Sequence, residues 1–314
     1  MNFFVPLYLL AIYGAVRFFA KNNPAPKTMA EGDKSGSPLK LKVGGVNWSP
    51  LESVGIVLAI YFGAQIIGFA LAYIVPLARG MNGEQAFAWL SENVYGQFVS
   101  IGLIEFISIY LLHLFLKRRR SNFATIGLSR KPRFSDGGMA LLGFAAYIVI
   151  FLVNIAIAAR LTHSIDLEQK QQVGFHNPAT FQLPIVFMSL VIFPAVAEEL
   201  MVRGFLYSGL KKFLPKYSTA LIANFLRLTD GSFWYTVTKK HLPNILAVLI
   251  TSGLFAMAHL QAGSGEPLLW SAAVDTFSLS LVLIYLKEKT GSLWAPIGLH
   301  MLKNSIAFYV LFLK

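Results

Sequence analysis

Eight long apolar segments dominate the sequence and constrain its fold more than any other feature. Each segment is long enough, or nearly so, to cross about 30 Å of hydrocarbon as a helix. The sequence therefore predicts an all-α fold, a polytopic membrane helix bundle of about eight transmembrane helices. The segments are residues 2–19, 51–78, 95–116, 138–159, 182–206, 245–262, 267–286 and 292–313.

The composition supports this interpretation and removes several kinds of site. Of the 314 residues, 55% are hydrophobic and 13% are charged, and that charged fraction is about half of what a soluble chain carries. The sequence has no cysteine, which excludes disulfides, thiolate metal sites and a cysteine nucleophile.

The distribution of basic residues predicts the orientation in the membrane. With the N-terminus outside, the cytoplasmic loops hold 20 Lys and Arg residues, while the outer loops and the C-terminus hold four. This is a strong positive-inside bias. Topology thus explains the net charge of +12, so we expect a lipid bilayer as the partner of the basic surface and no nucleic acid.

The chain is predicted to divide into three parts. Residues 1–48 are an uncleaved membrane anchor and a flexible cytoplasmic linker, because basic residues follow the first apolar run and none precedes it. Residues 49–181 hold the N-terminal transmembrane helices, and residues 182–314 form a C-terminal membrane domain. Within the latter, residues 211–244 are a long cytoplasmic insertion, for which a hairpin and a helical excursion are both open.

Two local patterns predict how helices are arranged. Ala64, Gly68 and Ala72 recur every four residues, which places small side chains on one helix face and favours close packing of helices. The basic stretch at 117–137 contains scattered apolar residues. We expect it to form a short amphipathic helix along the cytoplasmic interface, where it anchors the topology.

Ionisable residues inside the fifth apolar segment are the informative feature for function. A charge near the middle of the bilayer costs on the order of 3 kcal/mol, yet this segment contains Glu198, Glu199 and Arg203. On a helix Glu199 and Arg203 lie four residues apart on one face and can form an ion pair. Glu198 points about 100° away and has no cation close in sequence, which leaves it free for general-base chemistry.

The later segments contribute further polar residues at helical spacing. His259 lies four residues after Phe255, and His300 and Asn304 lie one turn apart on a single face. At 1.5 Å per residue, Glu198 and these three polar residues all lie about 12–21 Å from the cytoplasmic side. Three helices can therefore bring them together around a polar cavity near the middle of the membrane.

Three other ionisable residues stand alone within or at the end of apolar runs, namely Glu105, His113 and Asp275. A single buried ionisable group is more often a satisfied structural residue than a catalyst. We therefore interpret these three as structural.

Three short motifs carry a resemblance to a known family. EELMVR at 198–203 resembles an EExxxR motif, FAMAH at 255–259 an FxxxH motif and HMLKN at 300–304 an HxxxN motif. These are motifs of the CAAX-protease and bacteriocin-processing family of intramembrane endopeptidases. The resemblance covers about residues 182–313, with weaker similarity back to the fourth segment. The 61 residues from the first motif glutamate to the first motif histidine exceed the interval expected for the family, because of the insertion.

The resemblance implies a role for each motif residue. Glu198 would activate the attacking water, assisted by His259. Glu199 and Arg203 would hold the helix and tune the local field. The histidine and asparagine of the HxxxN motif would stabilise the oxyanion of the tetrahedral intermediate.

The resemblance also bears on cofactor, partners and location. Glu198, His259 and His300 would suit a divalent metal as a His₂Glu zinc set, while a metal-free glutamate mechanism uses the same residues, and both stay open. The expected partners are a membrane-associated protein or peptide as substrate and the lipid bilayer. A prokaryotic plasma membrane is the expected location.

Functions from three classes are compatible with these features. The leading prediction is an intramembrane endopeptidase that hydrolyses a peptide bond of a membrane-associated protein or peptide. A non-catalytic membrane partner or bacteriocin-immunity protein of the same fold is the second, and the complete motif set argues against it. A proton-coupled transporter is the third, since intramembrane Glu and His residues can relay protons, but the sequence shows no internal repeat.

Overall fold

A computed structural model describes residues 45–161, 175, 177–214, 233–260 and 270–314 of the chain, without the side chains of 233–240. Within these ranges every regular element is helical and no strand occurs, which confirms the predicted all-α class. The predicted first segment, most of the linker and the middle of the predicted insertion lie outside the described residues.

Eight helices longer than a single turn follow one another along the described chain. They are α1 (Pro50–Ala78), α2 (Gly83–Glu92), α3 (Val94–Arg118), α4 (Phe134–Leu161), α5 (Thr180–Leu214), α6 (Phe233–Ala258), α7 (Trp270–Thr290) and α8 (Trp294–Phe312). By length and composition, α1, α3, α4, α5, α6 and α7 can each cross a membrane. Six such helices agree roughly with the predicted eight. The short α2 and the 19-residue α8, which fills the predicted eighth segment, are not among the six.

Side-chain caps explain where two of the helices begin. Before α1, Ser49 Oγ accepts a hydrogen bond from the Glu52 amide at 3.2 Å, and Glu52 Oε2 accepts one from the Ser49 amide at 2.8 Å. This reciprocal pair is a capping box. Before α3, Asn93 Oδ1 accepts from the Tyr95 amide at 2.9 Å. Both caps satisfy amides that have no partner within their own helix.

Small residues bring α1 and α3 close together. Ala64, Gly68 and Ala72 are buried on α1, and a Cβ atom on Gly68 would lie 2.9 Å from Ile104 Cα of α3. The packing face predicted from their spacing is therefore confirmed. On the other side of the bundle, α4 packs against α7 and α8 through an apolar cluster.

The basic loops meet at one end of the bundle, the end predicted to face the cytoplasm. Trp48, which precedes α1, stacks on Phe205 of α5 with ring centroids 4.8 Å apart. Lys212 Nζ, near the end of α5, donates to the Val46 carbonyl at 2.6 Å. The parts of the chain predicted as cytoplasmic loops thus contact one another across the fold.

The basic stretch after α3 differs from its prediction. Its helix is a single turn, Ala124–Leu128, and Ile126 within that turn is completely buried in the main apolar core. Gly127 has a φ of +122°, and a Cβ atom there would lie 2.9 Å from Leu293 Cγ, so glycine is required. The stretch therefore packs into the end of the bundle, because Ile126 finds an apolar pocket between α5 and α8.

α5 is the most irregular helix and the one that carries the first motif. It runs past the predicted end at residue 206 and contains π-helical segments at Met188–Ile192 and Glu199–Leu206. Such segments within α-helices often occur at functional sites. α6 already begins at Phe233, so the described C-terminal part of the predicted insertion at 211–244 is helical.

Candidate functional site

Glu199 and Arg203 lie on one turn of α5 and are completely buried. Arg203 Nη1 donates to Glu199 Oε1 at 2.9 Å, and neither side chain has exposed surface. The predicted ion pair is therefore present. Arg203 Cζ also lies 4.0 Å from the centroid of the Phe255 ring on α6, a cation–π contact of the kind that strengthens when it is desolvated. The pair thus links α5 to α6.

His300 on α8 binds the same carboxylate. Its Nδ1 lies 2.9 Å from Glu199 Oε1, and its side chain is 5% exposed. Because an ionised carboxylate only accepts hydrogen bonds, Nδ1 carries the hydrogen, and Nε2 of the neutral ring presents its lone pair. Glu199 therefore orients His300, a contact that the motif spacing did not predict.

His259 on α6 is oriented by its own helix. Its Nδ1 lies 2.9 Å from the Phe255 carbonyl oxygen, and its ring meets the Phe255 ring edge-on with centroids 4.7 Å apart. A carbonyl oxygen accepts here, so Nδ1 again carries the hydrogen. In their neutral form both motif histidines therefore present an Nε2 lone pair.

Glu198 lies where the two imidazoles converge. Its Oε2 is 4.0 Å from His259 Nε2 and 3.8 Å from His300 Nε2. Within the described part of the chain this buried oxygen has no hydrogen-bond partner. Three acceptor atoms that face one another require a proton, a water molecule or a cation between them. The arrangement is suited to holding and activating a water molecule.

A cavity of about 210 Å³ opens beside these groups, and we call it the polar cavity. Glu198, His259, His300 and Asn304 all line it, so three helices bring four predicted residues to one space. Asn304 Nδ2 donates to the Leu190 carbonyl oxygen at 3.1 Å, which uses one of its two N–H groups. The ion pair of α5 is buried and does not line this cavity.

A second cavity of about 350 Å³ adjoins the same groups, and we call it the apolar cavity. Glu198, Phe255 and His259 line both cavities. The rest of its lining consists of apolar and aromatic side chains from α1, α5 and α6, such as Val57 and Met201. A mostly apolar pocket with a small number of placed polar groups is the usual form of a ligand-binding site.

Sequence reasoning missed a second polar cluster, which reaches the polar cavity. Lys303 lines that cavity, and its Nζ lies 2.9 Å from Asp275 Oδ2 on α7. Tyr147 on α4 donates to the other oxygen of Asp275, so this carboxylate is not isolated. The signal available in the sequence was spacing, since Lys303 follows His300 by three residues and shares its helix face.

The donors of the site are of the kind that binds zinc. Two imidazole nitrogens and one carboxylate form a His₂Glu set, and Glu199 supplies the outer carboxylate that often orients a zinc-bound histidine. The Nε2–Oε2 distances of 3.8 and 4.0 Å exceed the roughly 3.3 Å expected between two donors on one tetrahedral ion. As placed, no three His, Asp or Glu side chains of the described ranges form a metal site. The donors are of the kind that binds zinc, and the two Nε2–Oε2 distances must shorten by about 0.5–0.7 Å for one ion to be held between them.

One protein-family model matches the part of the chain that holds these residues. Residues 180–306 match the family described as Type II CAAX prenyl endopeptidase Rce1-like. No curated protein and no solved structure matches the chain. The matched range contains all three motifs and confirms the resemblance that they carry. Together with the six apolar helices, the match identifies an integral membrane protein whose residues 180–306 form a domain of the Rce1-like type II CAAX prenyl endopeptidase family.

Proposed function

We propose that this protein is an intramembrane endopeptidase that hydrolyses a peptide bond of a membrane-associated protein or peptide. The observation that carries the proposal is Glu198 Oε2, a buried acceptor that faces Nε2 of both His259 and His300 and has no partner among the described residues. The endopeptidase family of the matched domain supports the reaction class.

The reaction begins with a water molecule held between Glu198 and His259. Glu198 Oε2 takes a proton from the water while the water oxygen bonds to the carbonyl carbon, and the C=O electron pair moves onto the oxygen. When the tetrahedral intermediate collapses, the C–N bond breaks and the nitrogen takes the proton from Glu198. The products are a carboxylic acid and an amine, and Glu198 returns to its starting state.

The other motif residues orient the catalytic groups and bind the oxyanion. The ion pair of Glu199 and Arg203 fixes the turn of α5 that presents Glu198, and Glu199 also fixes the ring of His300. Asn304 keeps one N–H group for the oxyanion. A divalent metal held by Glu198 and the two histidines would supply a water of lowered pKa when bound.

The apolar cavity binds the substrate. Its lining from α1, α5 and α6 accepts an apolar part of the substrate, and Glu198 and His259 at its edge reach the bond that is cut. The exposed faces of Leu58 and Met257, which are 43% and 65% exposed, lie on the outside of the bundle at this cavity. A substrate that is itself in the membrane therefore reaches the site without crossing water.

Mapping of new peptide ends tests the proposal. Host membranes that express the wild type, Glu198→Ala or the exposed control Glu84→Ala at equal levels are compared by mass spectrometry. Ends present with the wild type and the control, and missing with Glu198→Ala, are expected, and they identify the substrate as well. Identical end profiles for all three folded proteins contradict hydrolysis and favour the non-catalytic membrane partner.

Chelation separates the two mechanisms that the residues allow. The purified wild type is treated with 1,10-phenanthroline and then with zinc. Loss of cleavage that zinc restores assigns the metal-dependent mechanism, and cleavage that persists in metal-free protein assigns the glutamate mechanism.

A further inference from the structure

Lys303 brings a positive charge to the wall of the polar cavity. Among the described residues that line this cavity, it is the sole Lys or Arg. Arg203 is close in the fold but has no exposed surface. The side chain of Lys303 is 25% exposed, and of its three N–H donors one serves Asp275 at 2.9 Å. Two donors therefore remain for a group inside the cavity.

The surroundings of Lys303 hold its ammonium in place. Asp275 on α7 binds Lys303 through Oδ2 and Tyr147 of α4 through Oδ1, so three helices meet at one carboxylate. An ionisable pair in a membrane helix is costly, and apolar residues of similar volume would join the same helices at less expense of free energy. Lys303 lines the catalytic cavity, while its partner Asp275 lies behind it on α7 and does not line the cavity. A lysine placed there is therefore better explained by function than by packing.

The polar cavity otherwise offers few donors for a developing oxyanion. His300 Nδ1 is engaged by Glu199, so in its neutral form the ring presents a lone pair at Nε2 and does not donate from it. Asn304 already gives one N–H group to the Leu190 carbonyl oxygen. One amide N–H is left, together with the hydroxyl of Thr276, which also lines the cavity, although stabilisation of the oxyanion is usually the largest single contribution to such catalysis.

We propose that Lys303 is a catalytic residue whose ammonium donates a hydrogen bond to the oxyanion, with Asp275 and Tyr147 as its positioning residues. This role rests on the proposed hydrolysis and adds a residue to it. As Glu198 takes the proton of the water, negative charge leaves Glu198 and appears on the substrate oxygen. A cation beside Asn304 stabilises the charge on the substrate oxygen more than the charge on Glu198. Because this favours the transition state over the bound substrate, it raises kcat. Lys303 stays protonated throughout.

The absence of cysteine from the chain permits a chemical test at this one position. Lys303→Cys is made in the full-length protein, reconstituted in liposomes and assayed with the peptide that the end mapping identifies. Aminoethyl methanethiosulfonate then restores an ammonium of similar reach, and methyl methanethiosulfonate adds an uncharged group as the matched control. We expect Lys303→Cys to lower kcat about 10²-fold with little change in KM. The ammonium reagent should restore kcat about tenfold or more, and the methyl reagent should not.

Other results overturn the role. A raised KM at unchanged kcat would show that Lys303 binds a substrate carboxylate in the ground state. Equal recovery of kcat with both reagents would show that Lys303 is a packing residue. Asp275→Asn should lower kcat less than Lys303→Cys does, because the ammonium is then present but loosely held. If the wild type cleaves no more than Glu198→Ala, the proposed hydrolysis fails and this role with it. If the wild type cleaves the peptide and only the Lys303 variants lose activity, the proposed hydrolysis stands.

Discussion

α1 and α5 have nearly the same mean hydropathy and lie in different surroundings. Of the most apolar stretch of α1, 17% is buried within the protein, compared with 50% of that of α5. α4 and α7 differ as much in burial, at 17% and 50%, but their mean hydropathies of 2.5 and 1.2 differ as well. Hydropathy therefore indicates which segments leave water, whereas embedded polar residues indicate which helices are surrounded by protein.

The two helices also pack for different reasons. Lipid is as apolar as a leucine side chain, so helices in a membrane associate through close fit and hydrogen bonds. α1 uses close fit, through the small residues Ala64, Gly68 and Ala72. α5 uses charge and hydrogen bonds, through Glu199 and Arg203. Substitutions in α1 and in α5 should therefore lower the free energy of unfolding by different amounts.

Arg203→Met is expected to have the largest effect on stability. Glu199 stays buried but loses its cation, and breaking a buried pair in this way costs about 3–5 kcal/mol. The free energy of unfolding is measured by SDS titration in mixed micelles. The double variant Arg203→Met with Glu199→Gln should recover part of the loss, since no unpaired charge is then buried. A double variant no more stable than Arg203→Met contradicts this explanation.

Gly68→Val should cost less, about 1–3 kcal/mol, because it overpacks the contact of α1 with α3. The Cβ atom would meet the Ile104 backbone, which cannot move aside as a side chain tip can. Gly63→Val on the same helix is the matched control, since a Cβ atom there has no neighbour within 4 Å. Equal unfolding free energies for the two variants would remove the argument that α1 packs by close fit.

Gly127→Ala examines the junction between the basic stretch and the site-bearing helices. Its φ of +122° and its contact with Leu293 predict a loss of about 1–2 kcal/mol. Gly137→Ala at the start of α4, where a Cβ atom has open space, is the control and should be neutral or slightly stabilising. The same unfolding titration serves both, and a neutral Gly127→Ala would mean that the turn is able to rearrange.

Lys211→Met should have the smallest effect. Lys211 pairs with Glu288 at the end of the bundle, where the two side chains are 40% and 39% exposed. Exposed pairs contribute about 0–1 kcal/mol and weaken with salt. Wild type and variant should therefore unfold alike at high ionic strength. A loss as large as that of Arg203→Met would show that exposure does not govern the value of ion pairs in this fold.

The sequence was sufficient to predict the candidate residues of the site, but not the contacts between residues on different helices. The spacing of Glu199 and Arg203 predicted their ion pair, because residues four apart on one helix must share a face. It could not predict the contact of Glu199 with His300, since 101 residues separate the two. Asp275 was interpreted as isolated for the same reason, because its partners Tyr147 and Lys303 lie on other helices.

By itself the sequence determined the helical membrane class and the three motifs. These follow from local rules, namely the apolar length that spans a bilayer and the 3.6-residue period of a helix. Tertiary structure alone decided which face of each helix is exposed and that both glutamates lie beside His300. It also brought Lys303 to the cavity and the basic stretch into the core. These outcomes depend on how helices distant in sequence are rotated against one another, and helix rotation is set by packing and not by the periodicity of any one segment.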